Sequence, residues 1–393
     1  MVSEIGMERI ERLREGMRER AVDVLICLKP QNSFYLSGFN PIIYSHPVVA
    51  ILPLEGESVL LVHALRDDHA RQSAWVRDVR LYGAWSTKQT MGPDWLLALH
   101  AILEERGVAR GTIGIEGDFL PLATAQQWEA LLSGARFVDA ADLIMNTRMV
   151  KEPIEIEYTR AASAIADIGM EAALATAAER LSERDISIRA MAAMNQVWAD
   201  DFPNVEVADF GGLEGGVQNG LWCYCLTGDH VLVNCDNPTT RRLADGELAL
   251  IVIWTNCNGL HAENERTVAV GTLDDARRAA FEAVLQIREE TWSAFRPGAT
   301  CADVYNAART VYEQLGYGKY LPGRIGHGLG LGPHEPPSLG PRDSTVLRPG
   351  MIFTLEPNLR IPELGGVQHS DTLIVTGLGY EVMTTTRGGY IEV

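Results

Sequence analysis

The sequence predicts an α/β N-terminal domain followed by an α+β C-terminal domain. Its 393 residues are too many for one ordinary hydrophobic core. Through the first third, short apolar runs alternate with amphipathic helical stretches, the pattern of strands covered by helices. Beyond residue 147 the pattern becomes two long helices, then two hairpins separated by a helix pair. The boundary is therefore placed between domains 1–146 and 147–393.

Residues 4–20 mix Glu and Arg at close spacing and read as a solvated first helix. Residues 23–28 form an apolar run, a buried strand, and 48–53 and 58–62 are two more, joined by a turn at Leu54-Glu55-Gly56-Glu57. Trp95 to Arg106 has helical period, and Gly111 to Glu116 is a strand. Glu152-Pro153 opens a long helix, because proline fits a first turn. It extends to about Arg180 with Ile156, Ala161, Ile165, Ile168 and Ala172 on its apolar side. A second helix covers Glu183 to Trp198. Cys223 and Cys225 alternate as in a strand and share a face. Leu248 to Trp254 is nearly continuously apolar, which marks an interior strand. It leads through a loop at Asn256 to Gly259 into a return strand, Leu260 to Val270. Helices at 273–295 and 301–315 and strands at 351–355 and 371–375 complete the chain. The order hairpin, helix pair, hairpin hints at an internal duplication, although no repeat is visible residue by residue.

Hydrophobic residues make up 46% and charged residues 22%, ordinary for a globular protein. A net charge of −18 repels phosphate backbones, so no nucleic-acid partner is expected. No apolar run approaches the length that crosses a bilayer, and the charged first segment lacks the apolar middle of a signal peptide. No membrane partner and a cytoplasmic location are expected. The six cysteines include no CxxC pair and read as buried reduced thiols.

Three clusters carry candidate chemistry. Alternate side chains of a strand share a face, so His261, Glu263 and Glu265 point one way and Ala262 and Asn264 the other. Three ionisable groups on an apolar hairpin are costly to bury. The bland alternative is a solvated edge strand with Glu265 paired to Arg266. Gly326 to Pro337 surrounds His327 with glycines and includes His334, so backbone or ligand approaches closely. Its spacing is not that of a phosphate loop. Met351 to Pro357 is an apolar strand that delivers Glu356 just before a proline.

The order and spacing of these clusters resemble the creatinase, prolidase and methionine aminopeptidase family, the pita-bread enzymes. Gly323-Arg324-Ile325-Gly326-His327-Gly328-Leu329-Gly330, the stretch Leu347 to Pro357, and the junction Thr147 to Tyr158 carry the resemblance, which covers nearly the whole chain. It implies a creatinase/prolidase-like α/β domain over 1–146, a pita-bread catalytic domain over 147–393, and a homodimer. It also implies departures. Val252 and Glu263 stand at the two aspartate ligand positions of the hairpin, and Ser370 stands at the last glutamate. Within the family the chain is similar to metal-independent creatinase around Ile165 to Gly169, Phe202 to Glu206 and Glu265-Arg266-Thr267. Asp236 stands where creatinase has its catalytic histidine. Tyr44-Ser45-His46 lacks its carboxylate-binding arginine, and Ser370, next to His369, replaces its last histidine.

Two ions need about five or six ligands, and Val252 and Ser370 remove two. The expectation is therefore metal-independent hydrolysis, without a cofactor, of a C–N bond in a small nitrogen-rich guanidino, amidine or amide compound. Creatine-like and ectoine-like substrates are the models. Glu265, Glu356 and His327 are the expected catalytic residues: facing carboxylates raise each other's pKa, and the imidazole relays a proton to the leaving nitrogen. Asp236, His261, Glu263, His334, His369, Tyr44 and His46 are expected to bind this small-molecule substrate, the two in the first domain by reaching a neighbouring subunit. Residues 211–230 are expected to shape the pocket. A single ion on Glu263, His327 and Glu356 stays open as a second mechanism. The competing functions are a metal-dependent Xaa-Pro dipeptidase or aminopeptidase and a non-catalytic binding relative.

Overall fold

The computed structural model describes residues 6–210, 219–233 and 235–393. Of the stretch expected to shape the pocket, 211–218 lie outside the described residues. The chain forms two compact units. One holds residues 6–148 with 209 and 210, and the other holds 149–208 with the described residues from 219 onward.

The first unit is built on six strands: β1 (Val24–Cys27), β2 (Val49–Pro53), β3 (Val59–His63), β4 (Asp78–Tyr82), β5 (Thr112–Ile115) and β6 (Arg136–Asp139). Their order is β4-β3-β2-β1-β5-β6. The β1–β2 and β2–β3 pairs are antiparallel and the rest parallel, so the sheet is mixed. Six helices accompany it: α1 (Met7–Glu19), α2 (Pro30–Ser37), α3 (Asp67–Ser73), α4 (Trp95–Glu105), α5 (Leu122–Leu131) and α6 (Ala141–Arg148). Sequence pattern gave β1, β2, β3, α4 and β5. It missed α2, whose first turn is Pro-Gln-Asn-Ser, and β6, which is buried on neither face and so carries no strong period.

The second unit opens with α7 (Pro153–Ala178) and α8 (Glu183–Asp201). Proline at its first position and the Glu155 carboxylate, which accepts the Glu152 backbone N–H at 2.9 Å, start α7. By length and composition α7 could span a bilayer, which corrects the expectation that no run is apolar enough. Over half of its most apolar window is buried, and it packs on the hairpin described next. The strands are β7 (Trp222–Thr227), β8 (Glu247–Cys257), β9 (Leu260–Val270), β10 (His327–Gly328), β11 (Glu335–Ser338), β12 (Ile352–Leu355), β13 (Asn358–Ile361), β14 (Gly365–Gln368), β15 (Ser370–Val375) and β16 (Tyr380–Val382). Eight of them form a sheet in the order β11-β10-β12-β15-β9-β8-β7, with β16 on β15, while β13 and β14 pair alone. Helices α9 (Asp275–Thr291) and α10 (Cys301–Gln314) lie between β9 and β10 in the chain. Ile165 and Met194 pack with Ile251 and Ile253 in one core, and Phe281 and Tyr312 pack with Phe353 and Leu355 in another. Each helix pair thus has its own share of the sheet.

The loop expected at 256–259 is shorter. Only Asn258 and Gly259 leave the ladder, both at positive φ (48° and 86°), as a two-residue hairpin turn demands. One buried ion-pair group then ties β9 to β15. Arg266 donates to Asp371 Oδ1 at 2.7 Å, and Arg288 donates to Oδ2 at 2.6 Å. Arg266 also donates to the carbonyls of Glu265, Ser370, Thr386 and Arg387. Burial works against the Asp371 charge, but the two guanidiniums prevail and hold its pKa down at about 2.

Candidate functional site

The long hairpin and its neighbours bring the site together. The β8–β9 register sets Trp254 opposite Glu263 and Val252 opposite Glu265, and β15 sets Ser370 opposite Glu265. Glu356 follows the end of β12, where its backbone N–H donates to the Ile325 carbonyl at 2.9 Å. His327 starts β10, and its backbone N–H donates to Thr354 Oγ1 at 3.1 Å. The residue before it must be glycine. A Cβ on Gly326 would lie 2.2 Å from the Thr354 carbonyl oxygen. The turn between β10 and β11 folds His334 back over His327, with ring centroids 4.3 Å apart.

Glu263 is buried and fixed at both oxygens: Ser370 Oγ donates to Oε1 at 2.5 Å and Trp254 Nε1 to Oε2 at 2.8 Å. Glu265 accepts the Gln368 side-chain N–H at Oε2, and Arg360 donates to Gln368 Oε1 at 2.6 Å. Burial raises the pKa of all three carboxyls. That of Glu265 goes well above the usual range, with Glu263 and Glu356 adding repulsion, and that of Glu356 rises to about 8 through burial and Glu263, opposed by Arg324. His327 and His334 are pushed down to about 4, chiefly by burial, so both imidazoles are neutral at pH 7.

These groups border a cleft of about 580 Å³. Glu263, Glu265, Glu356 and His334 line it, with His327 directly behind. Other expected residues are elsewhere. His261 is held between Asn256 Nδ2 and the Gly330 carbonyl. His369, the one residue between β14 and β15, is buried against Phe281, while Ser370 turns to Glu263. Asp236 is exposed and accepts from its own neighbour Asn237 N–H and from His230. Tyr44 and His46 belong to the first unit, where Tyr44 is buried and His46 stacks on His63 at 4.0 Å. The cleft also takes in Trp254, Arg324, Arg360, Gln368, Tyr224 and Cys235, none of which was singled out as a site residue. Cys235 is exposed, which corrects the expectation of buried thiols throughout; the other five are buried.

Among the described residues, two sets of ligand atoms lie within 4.8 Å of one another: Glu263, His327 and His334, and Glu263, Glu265 and Glu356. The first set fits a divalent cation on one specific observation. His327 Nδ1 is 3.1 Å from the Gly328 carbonyl and must donate to it, which leaves the lone pair on Nε2. That nitrogen is buried and has no hydrogen-bond partner among the described residues. It faces Glu263 Oε2 at 3.7 Å and Glu356 Oε1 at 3.8 Å. A neutral imidazole directed at carboxylates, with its second nitrogen fixed by a carbonyl, is the donor arrangement of a zinc-type site.

Residues 157–377 match the family model described as "Metallopeptidase family M24", and 9–150 match "Creatinase/Prolidase N-terminal domain". The chain is 28% identical to "Putative dipeptidase YkvY" of Bacillus subtilis, over 96% of this chain and 98% of that protein. It is 27% identical to the Xaa-Pro dipeptidase of Pyrococcus furiosus, over 97% and 98%. Among solved structures, a dipeptidase from Pyrococcus horikoshii superposes with a TM-score of 0.82 at 25% identity, covering 98% of this chain and all of that one. These findings support the two expected folds and overturn the metal-independent, creatinase-like function. The ligand count behind that function registered Val252 and Ser370 as losses and placed His334 in substrate binding. In the structure His334 lies beside His327, and the two with Glu263 form a group that could hold an ion. This chain is a hydrolase, and it belongs to metallopeptidase family M24.

Proposed function

We propose that the protein is a metal-dependent dipeptidase of small peptides that works with one divalent ion, held by Glu263, His327 and His334. The buried, unpartnered Nε2 of His327, directed at two carboxylates, carries this proposal. The names of the relatives support the substrate class. Two ions are not proposed, because Val252 and Ser370 supply no carboxylate.

When bound, the ion supplies Lewis-acid polarisation of the scissile carbonyl. The side chains do the rest. Ser370 and Trp254 hold the Glu263 carboxylate in one orientation. Glu356, whose Oε1 lies 3.8 Å from His327 Nε2, takes a proton from the attacking water in its ionised form. Gln368 occupies Oε2 of Glu265, which leaves Oε1 to carry the proton given to the leaving amine. The strongly raised pKa of Glu265 keeps that proton in place beforehand.

Stripping the metal with a chelator is expected to stop hydrolysis of a dipeptide panel. Refilling with Zn²⁺, Mn²⁺ or Co²⁺ is expected to restore it, with one ion retained per chain. Undiminished turnover in metal-stripped protein, or none on any dipeptide after refilling, would refute the proposal. A homodimer is proposed on the family resemblance alone; light scattering should then give twice the chain mass of 43.1 kDa.

A further inference from the structure

We propose that His230 is a positioning residue for substrate binding: its imidazolium ties Asp236 to the buried Glu183 and so fixes the cleft wall that Leu232 and Cys235 form. The ligand it serves is the small peptide, so the proposal rests on the dipeptidase function above. The wall belongs to the segment that follows β7. It begins with a 3-10 turn, Gly228–Leu232, and Leu232 and Cys235 line the cleft together with Glu263, Glu265 and Glu356. Glu183, at the start of α8, has no solvent exposure and holds both ends of this segment. Its Oε1 accepts the Thr227 N–H at 2.8 Å, and its Oε2 accepts the Thr239 N–H at 2.8 Å and Thr239 Oγ1 at 2.7 Å. His230 Nδ1 lies 2.9 and 3.0 Å from the same two oxygens, and its Nε2 lies 3.2 Å from Asp236 Oδ2. Ionised carboxylates only accept, so both ring nitrogens must donate and the ring is charged. Burial opposes that charge, but the hydrogen bonds to Glu183 and Asp236 prevail and raise the pKa of the ring.

Between its anchored ends the segment has little else to hold it. Among the described residues, the only other tie from 235–237 to a neighbouring strand is Tyr224, whose hydroxyl donates to Cys235 Sγ at 3.5 Å. Asp236 also accepts the Asn237 N–H, a bond internal to the turn. Cys235 stands at a φ of 45°, an unfavourable conformation for a residue with a Cβ. A wall held so thinly must otherwise be ordered when substrate binds, and the imidazolium orders it beforehand. The elements packed on the turn leave His230 to its two acids. From β8 comes Glu247, which accepts from Arg241, and from β7 come Tyr224 and the buried Cys225. Strand β14 carries no titratable group. Asp229, next in the chain, is exposed, and Arg184 of α8 donates to the Pro238 carbonyl. The tie is therefore complete below the ordinary histidine pKa of about 6.5, and it is lost as pH rises through the higher value of the folded chain.

The test is calorimetric binding of alanyl-proline to the metal-stripped full chain at about pH 6 and about pH 9, on either side of the histidine range. At the lower pH the wild type is expected to bind about three- to fivefold more tightly than D236A, the effect of a partly exposed ion pair. At the higher pH the ratio is expected to approach one. The ratio between variants cancels every titration they share, and a merely structural role would leave it the same at both pH values. D236N, whose amide can bond to either form of the ring, is expected to recover part of the affinity without the step. Backbone hydrogen exchange of residues 235–239 in the ligand-free chain reads the tie directly, and D236A is expected to exchange faster than the wild type at the lower pH only. A ratio that ignores pH, no binding by the wild type, or equal exchange at the lower pH would overturn the proposal. Turnover of the metal-loaded protein is scored separately. Normal hydrolysis with a pH-independent ratio counts against His230 alone, whereas both expected steps with no hydrolysis of any dipeptide count against the dipeptidase function alone.

Discussion

His327→Gln is expected to lose tight ion retention and to lower dipeptide turnover by at least about a hundredfold, since even partners one shell out from a metal cost 10- to 100-fold when removed. The reason is in the lone pair. Gly328 fixes the tautomer, burial keeps the ring neutral, and Nε2 has the Glu263 and Glu356 carboxylate oxygens in front of it. A glutamine amide cannot reproduce a buried imidazole lone pair there. Metal content after dialysis, set beside turnover, is the measurement. A variant that retains one ion per chain would show that the ion is held elsewhere.

Asp371→Asn is expected to destabilise the second unit by roughly 3–5 kcal/mol, the cost of leaving buried charge without its counter-charge. Arg266 has no solvent exposure and Arg288 little, so both guanidiniums would lose their anion in a dry setting. Urea denaturation followed by fluorescence measures it, and a loss below about 1 kcal/mol would mean that the backbone carbonyls around Arg266 suffice. Acid acts on the same group. The Asp371 pKa is about 2 in the folded chain and about 3.9 in an unfolded one, so its stabilisation is complete above about pH 4. It is lost as pH falls toward 2, by roughly 2–3 kcal/mol.

Much of the site was legible because strand alternation is strict. The shared face of Glu263 and Glu265, the glycines around His327 and the apolar strand ahead of Glu356 all follow from local pattern. His261 obeys the same alternation, but Asn256 and Gly330 occupy its ring, and a partner from another segment is invisible to periodicity. His369 and Asp236 were chosen by position against a relative. The first of them lies in the link between β14 and β15 and is buried against Phe281. Arg360 and Gln368 escaped notice because β13 and β14, a four-residue pair apart from the main sheet, leave little pattern. Arg324 sat inside a recognised motif and was passed over for its histidine. The metal question turned on a ring fold-back between β10 and β11, which no spacing reveals.

The strand Leu260–Val270 has two trades on alternate residues. Glu263 and Glu265 face the cleft, while Asn264 and Arg266 fasten the chain to Asp167, Thr386 and Asp371. Inserting one residue ahead of Glu263 would exchange the two sets, driving acids into the anchoring layer and a guanidinium into the cleft. Descendants of this hairpin can therefore change by replacement but not by insertion or deletion. Evolutionary novelty in substrate range is left to the connecting segments around it, which tolerate changes of length.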